Sequence, residues 1–336
     1  MGTEEFVGAV ELAYSKEQSD ATWLRRLIEQ LSPELDAGLG VFGWFYDASN
    51  LSEIKIMYPT LLGTPSGALE ALHASLTHES RDPEFLAQHY ATPVGTISDQ
   101  LRDNLSSYRP LNELLVPLGI RDILTLNAFD VDGKGVAINA FLPTPTASIP
   151  ERQQQLEQVT AHLISGGRLR RVAGAVEAIL DVNGGVQHAD GTAAEPASRE
   201  ALSFAARAVE AARGKLRESD PILALEAWRA MVDGRWSVVD FLDSDGKRFL
   251  IARVNEPVLP SGARGLSTRE HQIAALVGRG HSNKLIAYDL GLGEGTVAGY
   301  VSRVLQKLGL ATRAEVIQLF AAREVGHAAQ EAPPSN

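Results

Sequence analysis

The composition of this 336-residue chain excludes several classes of protein. It contains no cysteine, which rules out disulfide bonds and thiolate metal sites and suits a reducing compartment. No apolar run approaches the roughly 18 residues of a membrane-spanning helix, and the acidic, amphipathic N-terminus is not typical of a signal peptide. The length suggests two or three domains, at roughly 100–200 residues each. We therefore expect a multidomain cytoplasmic protein without a membrane partner.

The net charge of −11 is distributed unevenly along the chain. Between Arg264 and Val325, eight Lys and Arg residues face five Asp and Glu residues, a net charge of +3. The remainder therefore carries −14. This balance argues against a protein that coats nucleic acid along its whole length. It is compatible with DNA binding through the C-terminal segment alone.

Helical and strand patterns alternate over the first part of the chain. The predicted elements are helices over 4–14, 21–34 and 65–90, an aromatic strand over 41–46 and a second strand over 54–58. The segments DILTLNAF and VAINAFL follow as two further strands. The Asp-Gly pair at 132–133 supplies the positive φ that a tight turn between them needs. The sequence therefore predicts a hairpin here.

A long helix is predicted after this hairpin. Ser148 and Glu151 match a capping box, and Pro150 stands near the first helical position, so the helix begins there and runs to about Ile164. The Ser-Gly-Gly sequence at 165–167 predicts an interruption, after which the helical pattern resumes.

A second strand-rich region ends near residue 257. AVEAILDVNGGVQHA reads as strand, Asn-Gly turn and strand, SREALSFAARAVEAAR reads as a helix, and RWSVVDFLDSDGKRFLIARV reads as a hairpin. The hairpins at 126–142 and 238–254 share an Asp-x-Asp-Gly-Lys turn, which is weak evidence of a repeat. Two units in which helices flank short antiparallel strands predict two small α+β sensor domains in tandem.

Four short helices are predicted from Leu266 onwards. Ser267 or Thr268 can cap the first helix, and Ser282 caps the second. Gly291 suits the left-handed residue of a turn between the second and third helices. The fourth helix is predicted over 312–322. This order describes a helix-turn-helix module.

The motifs LSTRE, GRGHSNKLIA, LGLGEGTV and KLGLATR stand in the order and spacing of a known family. Over about 55 residues the segment resembles the LuxR-type, NarL-like helix-turn-helix. The resemblance implies that the third helix enters the major groove of DNA, that the second helix and the loops hold phosphates, and that two domains pair through the fourth helix. Base edges and phosphates are the contacts that this geometry offers.

The resemblance also implies which side chains contact DNA. Asn283 and Lys284 are expected at phosphates, Thr296 and Val297 in the groove, and Arg303 near the backbone. The complete set of expected DNA-binding residues is Ser282, Asn283, Lys284, Glu294, Thr296, Val297, Tyr300, Arg303 and Lys307.

The chain departs from the family pattern at several positions. Leu285 stands where the family usually has Glu, and Gly293 stands where it usually has a capping Ser. Ala298-Gly299-Tyr300 replaces Lys-x-His. The lost cation predicts weaker DNA binding and a salt slope shallower by about one. The departures leave open an alternative, a degenerate module that titrates a protein partner and does not bind DNA.

The region before the helix-turn-helix does not match the commonest inputs of this family. A receiver domain would open with a strand ending in paired aspartates, and an ATPase would carry Gly-x-x-x-x-Gly-Lys-Ser/Thr; neither pattern occurs. The first hairpin and its following helix resemble the end of a GAF domain, and residues 175–257 more loosely resemble a PAS fold. The residues considered for a ligand pocket are Phe42, Trp44, Tyr46, Leu124 and Leu126. That these side chains are simply core is the competing interpretation.

Enzyme chemistry finds little support in the sequence. His73 and His78 miss the i, i+4 spacing of a helical metal pair. DVDGKG begins like a calcium loop but has Phe141 where the twelfth-position Glu belongs. We expect no catalytic residues, no metal and no cofactor.

These observations predict an α+β multidomain protein in which GAF/PAS-like sensor domains precede an all-α, four-helix LuxR-type domain. The expected function is that of a cytoplasmic, dimeric bacterial transcriptional regulator that binds double-stranded DNA, with a small molecule or a protein acting at the sensor region. The predicted parts are a GAF-like domain over 1–165, a PAS-like domain over 166–257, the helix-turn-helix domain over 258–325 and a disordered tail over 326–336.

Overall fold

The protein has an α+β architecture with two antiparallel sheets and a C-terminal helical region. The computed structural model describes residues 3–15, 19–49, 53–76, 83–146, 149–172, 174–256 and 266–317. The predicted tail, Ser148 of the predicted capping box and the end of the predicted fourth helix lie outside the described residues.

The first unit contains five strands and the helices around them. In chain order its elements are α1 (Thr3–Ala13), α2 (Asp20–Leu35), β1 (Val41–Asp47), β2 (Lys55–Leu62), α3 (Ala68–Leu76), α4 (Pro83–Ala91), β3 (Val94–Thr96), α5 (Ile97–Leu101), β4 (Asp122–Phe129), β5 (Lys134–Leu142) and α6 (Pro150–Arg171). Short 3₁₀- and π-helical turns occupy much of 102–118. The single helix predicted over 65–90 is described as α3 and α4, and residues 77–82 between them lie outside the description.

The second unit and the C-terminal region complete the chain. Their elements are β6 (Val176–Leu180), β7 (Val186–Ala189), α7 (Pro196–Arg213), α8 (Lys215–Ser219), α9 (Pro221–Ala227), β8 (Trp236–Leu242), β9 (Arg248–Val254), α10 (Thr268–Gly278), α11 (Asn283–Leu290) and α12 (Glu294–Leu308). Residues 313–317 are again helical, which agrees with the start of the predicted fourth helix.

Each sheet contains one of the two predicted hairpins. The strand orders are β2-β1-β5-β4-β3 and β7-β6-β9-β8, with all neighbours antiparallel. Gly133 and Gly246 take φ values of +81° and +77° in the turns between β4 and β5 and between β8 and β9. In both turns the first aspartate donates its N–H to the carbonyl of the lysine, at 2.9 and 3.0 Å. The two predicted hairpins and the role of their Asp-Gly pairs are confirmed.

Helix α6 corrects the predicted interruption at 165–167. It runs unbroken from Pro150 to Arg171, so the predicted boundary after residue 165 falls inside one helix. A Cβ atom on Gly166 would collide with the carbonyl oxygen of Ala13. The glycine therefore permits close packing of α1 on α6, and this tertiary contact outweighs the low helix propensity of glycine.

Arg168, near the end of α6, connects several parts of the molecule. It is 5% exposed, and its Nε and Nη2 atoms donate to both carboxylate oxygens of Asp130, at 2.8 and 2.7 Å. Its Nη1 atom donates to the Asn255 carbonyl at 2.8 Å. Burial alone would raise the pKa of Asp130, but the charges of Arg168 and Arg171 outweigh burial and hold this pKa below its ordinary value.

The two adjacent glycines of α6 provide a matched test of this packing. Gly166→Ala should lower the free energy of unfolding by about 1–3 kcal/mol, because the new methyl group overpacks the α1–α6 contact. Gly167→Ala should raise it by about 0.5–1 kcal/mol through helix propensity, since the nearest atom to its added Cβ is 3.4 Å away, at Arg171. Denaturant titration of the two variants measures both values. Equal effects would contradict the packing explanation.

Candidate DNA-binding interface

Helix α10, the first helix of the C-terminal region, begins with a capping box. Ser267 Oγ accepts from the Glu270 N–H at 3.3 Å, and Glu270 Oε2 accepts from the Ser267 N–H at 2.7 Å. Lys307, near the end of α12, donates to the same carboxylate oxygen at 2.7 Å. The Lys307 hydrogen bond and that from the Ser267 N–H lower the pKa of Glu270 to about 2. Lys307, expected at DNA, is thus paired inside its own domain.

Helices α11 and α12 are joined by the predicted glycine turn. Ser282 caps α11 by accepting from the Leu285 N–H at 3.1 Å, as predicted. Gly291 ends this helix in the left-handed conformation, with φ +63°. Gly293 precedes α12 in an extended conformation, and its position leaves the first N–H groups of α12 without a side-chain cap. Such a helix end favours an anionic group.

One face of α12 is exposed along its whole length. Its accessible residues are Glu294, Gly295, Thr296, Ala298, Gly299, Ser302, Arg303, Gln306 and Lys307. A Cβ atom added at Gly295 or Gly299 would meet nothing within 4 Å among the described residues. The Arg303 guanidinium lies over the Tyr300 ring, with 4.3 Å between its central carbon and the ring centroid. In the middle of this face the small residues Ala298 and Gly299 leave the helix backbone accessible, and Arg303 is the cation beside them.

Val297 does not belong to the exposed face. It is 0% exposed and packs in the core of the helical region with Ile286 and Leu290. Its expected place in the DNA groove is therefore corrected: at helical spacing it lies on the inner side of α12 with Val304. Thr296, its neighbour, is exposed as expected.

The N-terminus of α11 carries the two residues expected at phosphates. Asn283 Oδ1 accepts from Arg313 Nη1 at 2.8 Å, and Arg313 also donates to the His281 carbonyl. Lys284 is exposed, but its Nζ atom donates to Gln154 Oε1 of α6 at 2.9 Å. The role of Arg313 was not predicted, although it lies in the KLGLATR motif.

Helix α11 packs directly on α6, a contact that was not predicted from the sequence. Leu285 and Tyr288 are each 6% exposed and form a buried cluster with Ala161 and Ala230. Leu285 is one of the departures from the family pattern. An apolar residue where a charged one is usual was the available signal that this face of α11 is covered.

Polar side chains cross the same interface. His162 of α6 lies between two tyrosines, with Nδ1 2.8 Å from Tyr14 Oη and Nε2 2.6 Å from Tyr288 Oη. The Tyr288 hydroxyl donates its proton to the Leu225 carbonyl at 3.0 Å. Burial lowers the pKa of His162 to about 3, so the ring is neutral, and it raises the pKa of Asp289 on α11 to about 7. The interface between α6 and α11 therefore combines apolar packing with buried hydrogen bonds.

Two further contacts attach the helical region to the rest of the chain. Arg279 donates to the Phe129 carbonyl at 3.1 Å, and its guanidinium carbon lies 4.4 Å from the centroid of the Phe129 ring. Met231, which precedes β8, is 0% exposed and forms part of the core of the helical region. A Cβ atom on Gly291 would collide with the Met231 carbonyl oxygen.

The five residues considered for a ligand pocket lie on opposite faces of the first sheet. Phe42, Trp44 and Tyr46 pack against the layer formed by α3, α4 and the turns before β4. Leu124 and Leu126 pack on the other face, with α1, α2 and α6. The expectation that they share a pocket is therefore corrected, because alternate residues of β4 point to opposite faces.

Two buried donors lie on the aromatic face of this sheet. Trp44 Nε1 and Asn139 Nδ2 have no hydrogen-bond partner within the described part of the chain. Asn127, on the same face, is fully bonded: its amide donates to the carbonyls of His89 and Tyr90, and its Oδ1 atom accepts from Tyr46. Trp44 Nε1 and Asn139 Nδ2 could therefore each donate a hydrogen bond to an acceptor on a bound molecule.

In the ranges that the structure describes, no group of three or more His, Asp or Glu side chains is placed to hold a metal ion. None of the described helices has the length and apolar character that crossing a membrane demands.

The geometry of the C-terminal region is that of a helix-turn-helix, and comparison with known proteins specifies its type. Residues 264–320 match the family model for bacterial regulatory proteins of the luxR family. This segment is therefore a LuxR-type helix-turn-helix domain.

Two curated proteins are similar to part of the chain. HTH-type transcriptional activator RamA of Corynebacterium glutamicum is 37% identical over 87 residues, which cover 25% of this chain and 30% of RamA. Transcriptional regulatory protein DesR of Bacillus subtilis is 38% identical over 73 residues, which cover 22% of this chain and 36% of DesR. The chain thus spans about a third of the length of the curated relatives it matches.

The capping box predicts a specific dependence of stability on pH. Because the pKa of Glu270 is lowered to about 2 from an ordinary 4.5, its stabilisation is complete above pH 4.5 and is lost as the pH falls towards 2. Glu270→Gln should therefore be less stable than wild type at neutral pH, with the difference shrinking below pH 4.5. Thermal unfolding across this range is the measurement. Glu294→Gln, an exposed carboxylate change in the same domain, should retain the wild-type profile; a constant deficit in Glu270→Gln would refute the assignment.

The unpaired donor of Asn139 predicts an unusual tolerance to an apolar substitution. Asn139→Leu should leave the free energy of unfolding unchanged or raise it by about 1 kcal/mol, because it removes a buried polar group that lacks a partner. Asn127→Leu should lower it by about 2–4 kcal/mol, since it leaves Tyr46 and two carbonyls unsatisfied. Both values come from denaturant unfolding of the unliganded protein. A large loss in Asn139→Leu would show that its amide is bonded.

Proposed function

We propose that this protein is a DNA-binding transcriptional regulator whose α12 reads the major groove. The observation that carries the proposal is the open face of α12 within a LuxR-type domain. Thr296 and Glu294 stand near the start of this face, where side chains reach base edges, and Arg303 stands further along it. The names of RamA and DesR, a transcriptional activator and a transcriptional regulatory protein, support the same class of function.

The replacements in α12 shape how it binds. Ala298 and Gly299 remove side chains from the middle of the exposed face, so the helix backbone can approach the bases closely. Arg303 remains as a cation, held over Tyr300. We expect phosphate binding by fewer charges, and therefore a lower intrinsic affinity with a shallower salt dependence.

The N-terminal region controls this binding in our proposal. Its direct contacts with α11 and with the core of the helical region, through Tyr288 and Met231, are the support. A GAF-like identity for the first unit and a PAS-like identity for the second are part of the proposal, as is action in the cytoplasm as a homodimer. Because one helix-turn-helix reads only a half-site, a dimer matches a two-fold-symmetric operator.

A small molecule at the first unit is the proposed signal. Trp44 Nε1 and Asn139 Nδ2 support a ligand that brings acceptor oxygens to an aromatic surface, since each of these buried donors lacks an acceptor within the described part of the chain. The ligand acts on DNA binding only if it binds two arrangements of the protein with different affinity.

A salt series with purified full-length protein tests the proposed function. Genomic DNA fragments are incubated with the protein at increasing salt, and the retained fragments are sequenced. Salt-dependent retention with an enriched two-fold-symmetric site is the expected result. Absence of retention even at about 50 mM salt would favour a module that binds only a protein partner.

Arg303 provides the sharpest single test of the α12 interface. Arg303→Ala should weaken binding to all sequences by a similar factor and make the slope of log K against log salt shallower by about one, because one phosphate contact is lost. Lys215→Ala removes an equal charge from exposed α8 and should leave the slope unchanged. Fluorescence anisotropy with a labelled duplex measures both. Identical slopes for the two variants would place the DNA elsewhere.

A further inference from the structure

Helix α11 carries two surfaces that compete with each other. Its N-terminus, with Lys284, is the end expected at the DNA backbone, and its side, with Leu285 and Tyr288, is buried on α6. We propose that docking of α11 on α6 and seating of a DNA phosphate at the α11 N-terminus exclude one another, so that the docked protein binds DNA weakly. This inference rests on the proposed DNA-binding function.

The contacts around Lys284 are the first argument for exclusion. Its Nζ atom is 2.9 Å from Gln154 Oε1, so α6 lies directly beside the end of α11. One turn further along α6, Glu157 lines the same narrow cleft as Leu285 and Asp289. A phosphate that approaches Lys284 therefore competes with Gln154 for the ammonium group and meets the face of α6 that carries Glu157. Steric contact and like charge both oppose it.

The side chains that hold α11 on α6 are the second argument. Leu285 is nearly fully buried beside Ala161, and a Glu at this position would place a carboxylate in an apolar contact. The Tyr288 hydroxyl bonds to His162 and to the Leu225 carbonyl at once. Removing that hydroxyl leaves both groups unsatisfied when the domain is docked, whereas water satisfies them when it is released.

Docking of α11 on α6 leaves the open face of α12 accessible. Thr296 and Arg303 are exposed in the docked protein, so contacts at the groove face remain available while the backbone contact at α11 is occupied. The docked form is therefore a weak binder. When only a fraction of molecules is competent, the apparent dissociation constant rises by the reciprocal of that fraction.

Two substitutions in the full-length protein open the contact by different means. Leu285→Glu buries a charge in the docked form, and Tyr288→Phe removes two hydrogen bonds without changing charge. Phe204→Glu, at a position 67% exposed on α7, is the control that adds the same charge away from the interface. Hydrogen exchange of peptides from α6 and α11 reports opening. Anisotropy with a fluorescein-labelled duplex carrying the enriched site, or a random sequence, reports affinity at fixed salt.

For Leu285→Glu, the electrostatic effect of the new charge and the proposed exclusion predict opposite changes in DNA affinity. Added negative charge beside Lys284 should weaken DNA binding on electrostatic grounds alone. Exclusion instead predicts that Leu285→Glu and Tyr288→Phe both exchange faster at α6 and α11 and bind DNA about tenfold more tightly than wild type, as expected if about a tenth of wild-type molecules is open. Phe204→Glu should exchange like wild type and bind no more tightly.

The other outcomes overturn the proposal in distinguishable ways. Faster exchange with unchanged or weaker DNA binding, in a wild-type protein that does bind DNA, would show that docking and DNA are compatible. Unchanged exchange in both variants would show that Leu285 and Tyr288 do not hold the contact. If neither the wild type nor the opened variants bind any duplex, the proposed DNA-binding function fails and the inference fails with it.

Discussion

The buried guanidinium of Arg168 constrains the rest of the structure. A charge that leaves water must be paired and fully bonded, since breaking such a pair typically costs about 3–5 kcal/mol. Arg168 meets this requirement with the carboxylate of Asp130, from the turn of the first hairpin, and the carbonyl of Asn255, just after β9. The ends of two sheets are thereby fixed to one point on α6. Met231 Sδ lies 3.6 Å from the same guanidinium, and Met231 belongs to the core of the LuxR-type domain.

Helix α6 consequently acts as the common support of the molecule. To bring Arg168 to Asp130, α6 must continue through 165–167. Gly166 has no side chain in this stretch, which lets α1 pack directly against the helix. The residues of α6 that face away from the first sheet meet α11, through Ala161 and His162. A change in the first unit that shifts α6 must therefore alter the surface on which the LuxR-type domain rests. That contact is the route that an N-terminal signal would take to α11 in the proposed regulation.

Local signals in the sequence predicted the features that depend on local physics. The Asp-Gly turns and the capping residue Ser282 act within a few residues, so short sequence motifs located them and narrowed the first cap to Ser267 or Thr268. Features set by tertiary contacts were beyond such signals. The continuity of α6 depends on Ala13, which is far away in sequence. The grouping of Leu124 and Leu126 with the aromatic residues as candidates for one pocket failed, because a strand pattern does not show which neighbour covers which face of the sheet. The DNA contact expected for Val297 was wrong for a similar reason. A role carried over from a family resemblance does not show whether the side chain is buried in this chain.

The departures from the family pattern separate into two physical kinds. Leu285 points inward, into the contact with α6, so its apolar character follows from the docking of this chain and says nothing against DNA binding. Ala298 and Gly299 point outward, where the described part of the chain leaves their surface open. A domain retained only for contacts with its own N-terminal region would need the buried face of α11, but it would not need particular side chains on the exposed face of α12. The ordered Arg303–Tyr300 pair and the uncapped N-terminus of α12 instead present a cation and free N–H groups on that open face, a combination that suits an anionic backbone.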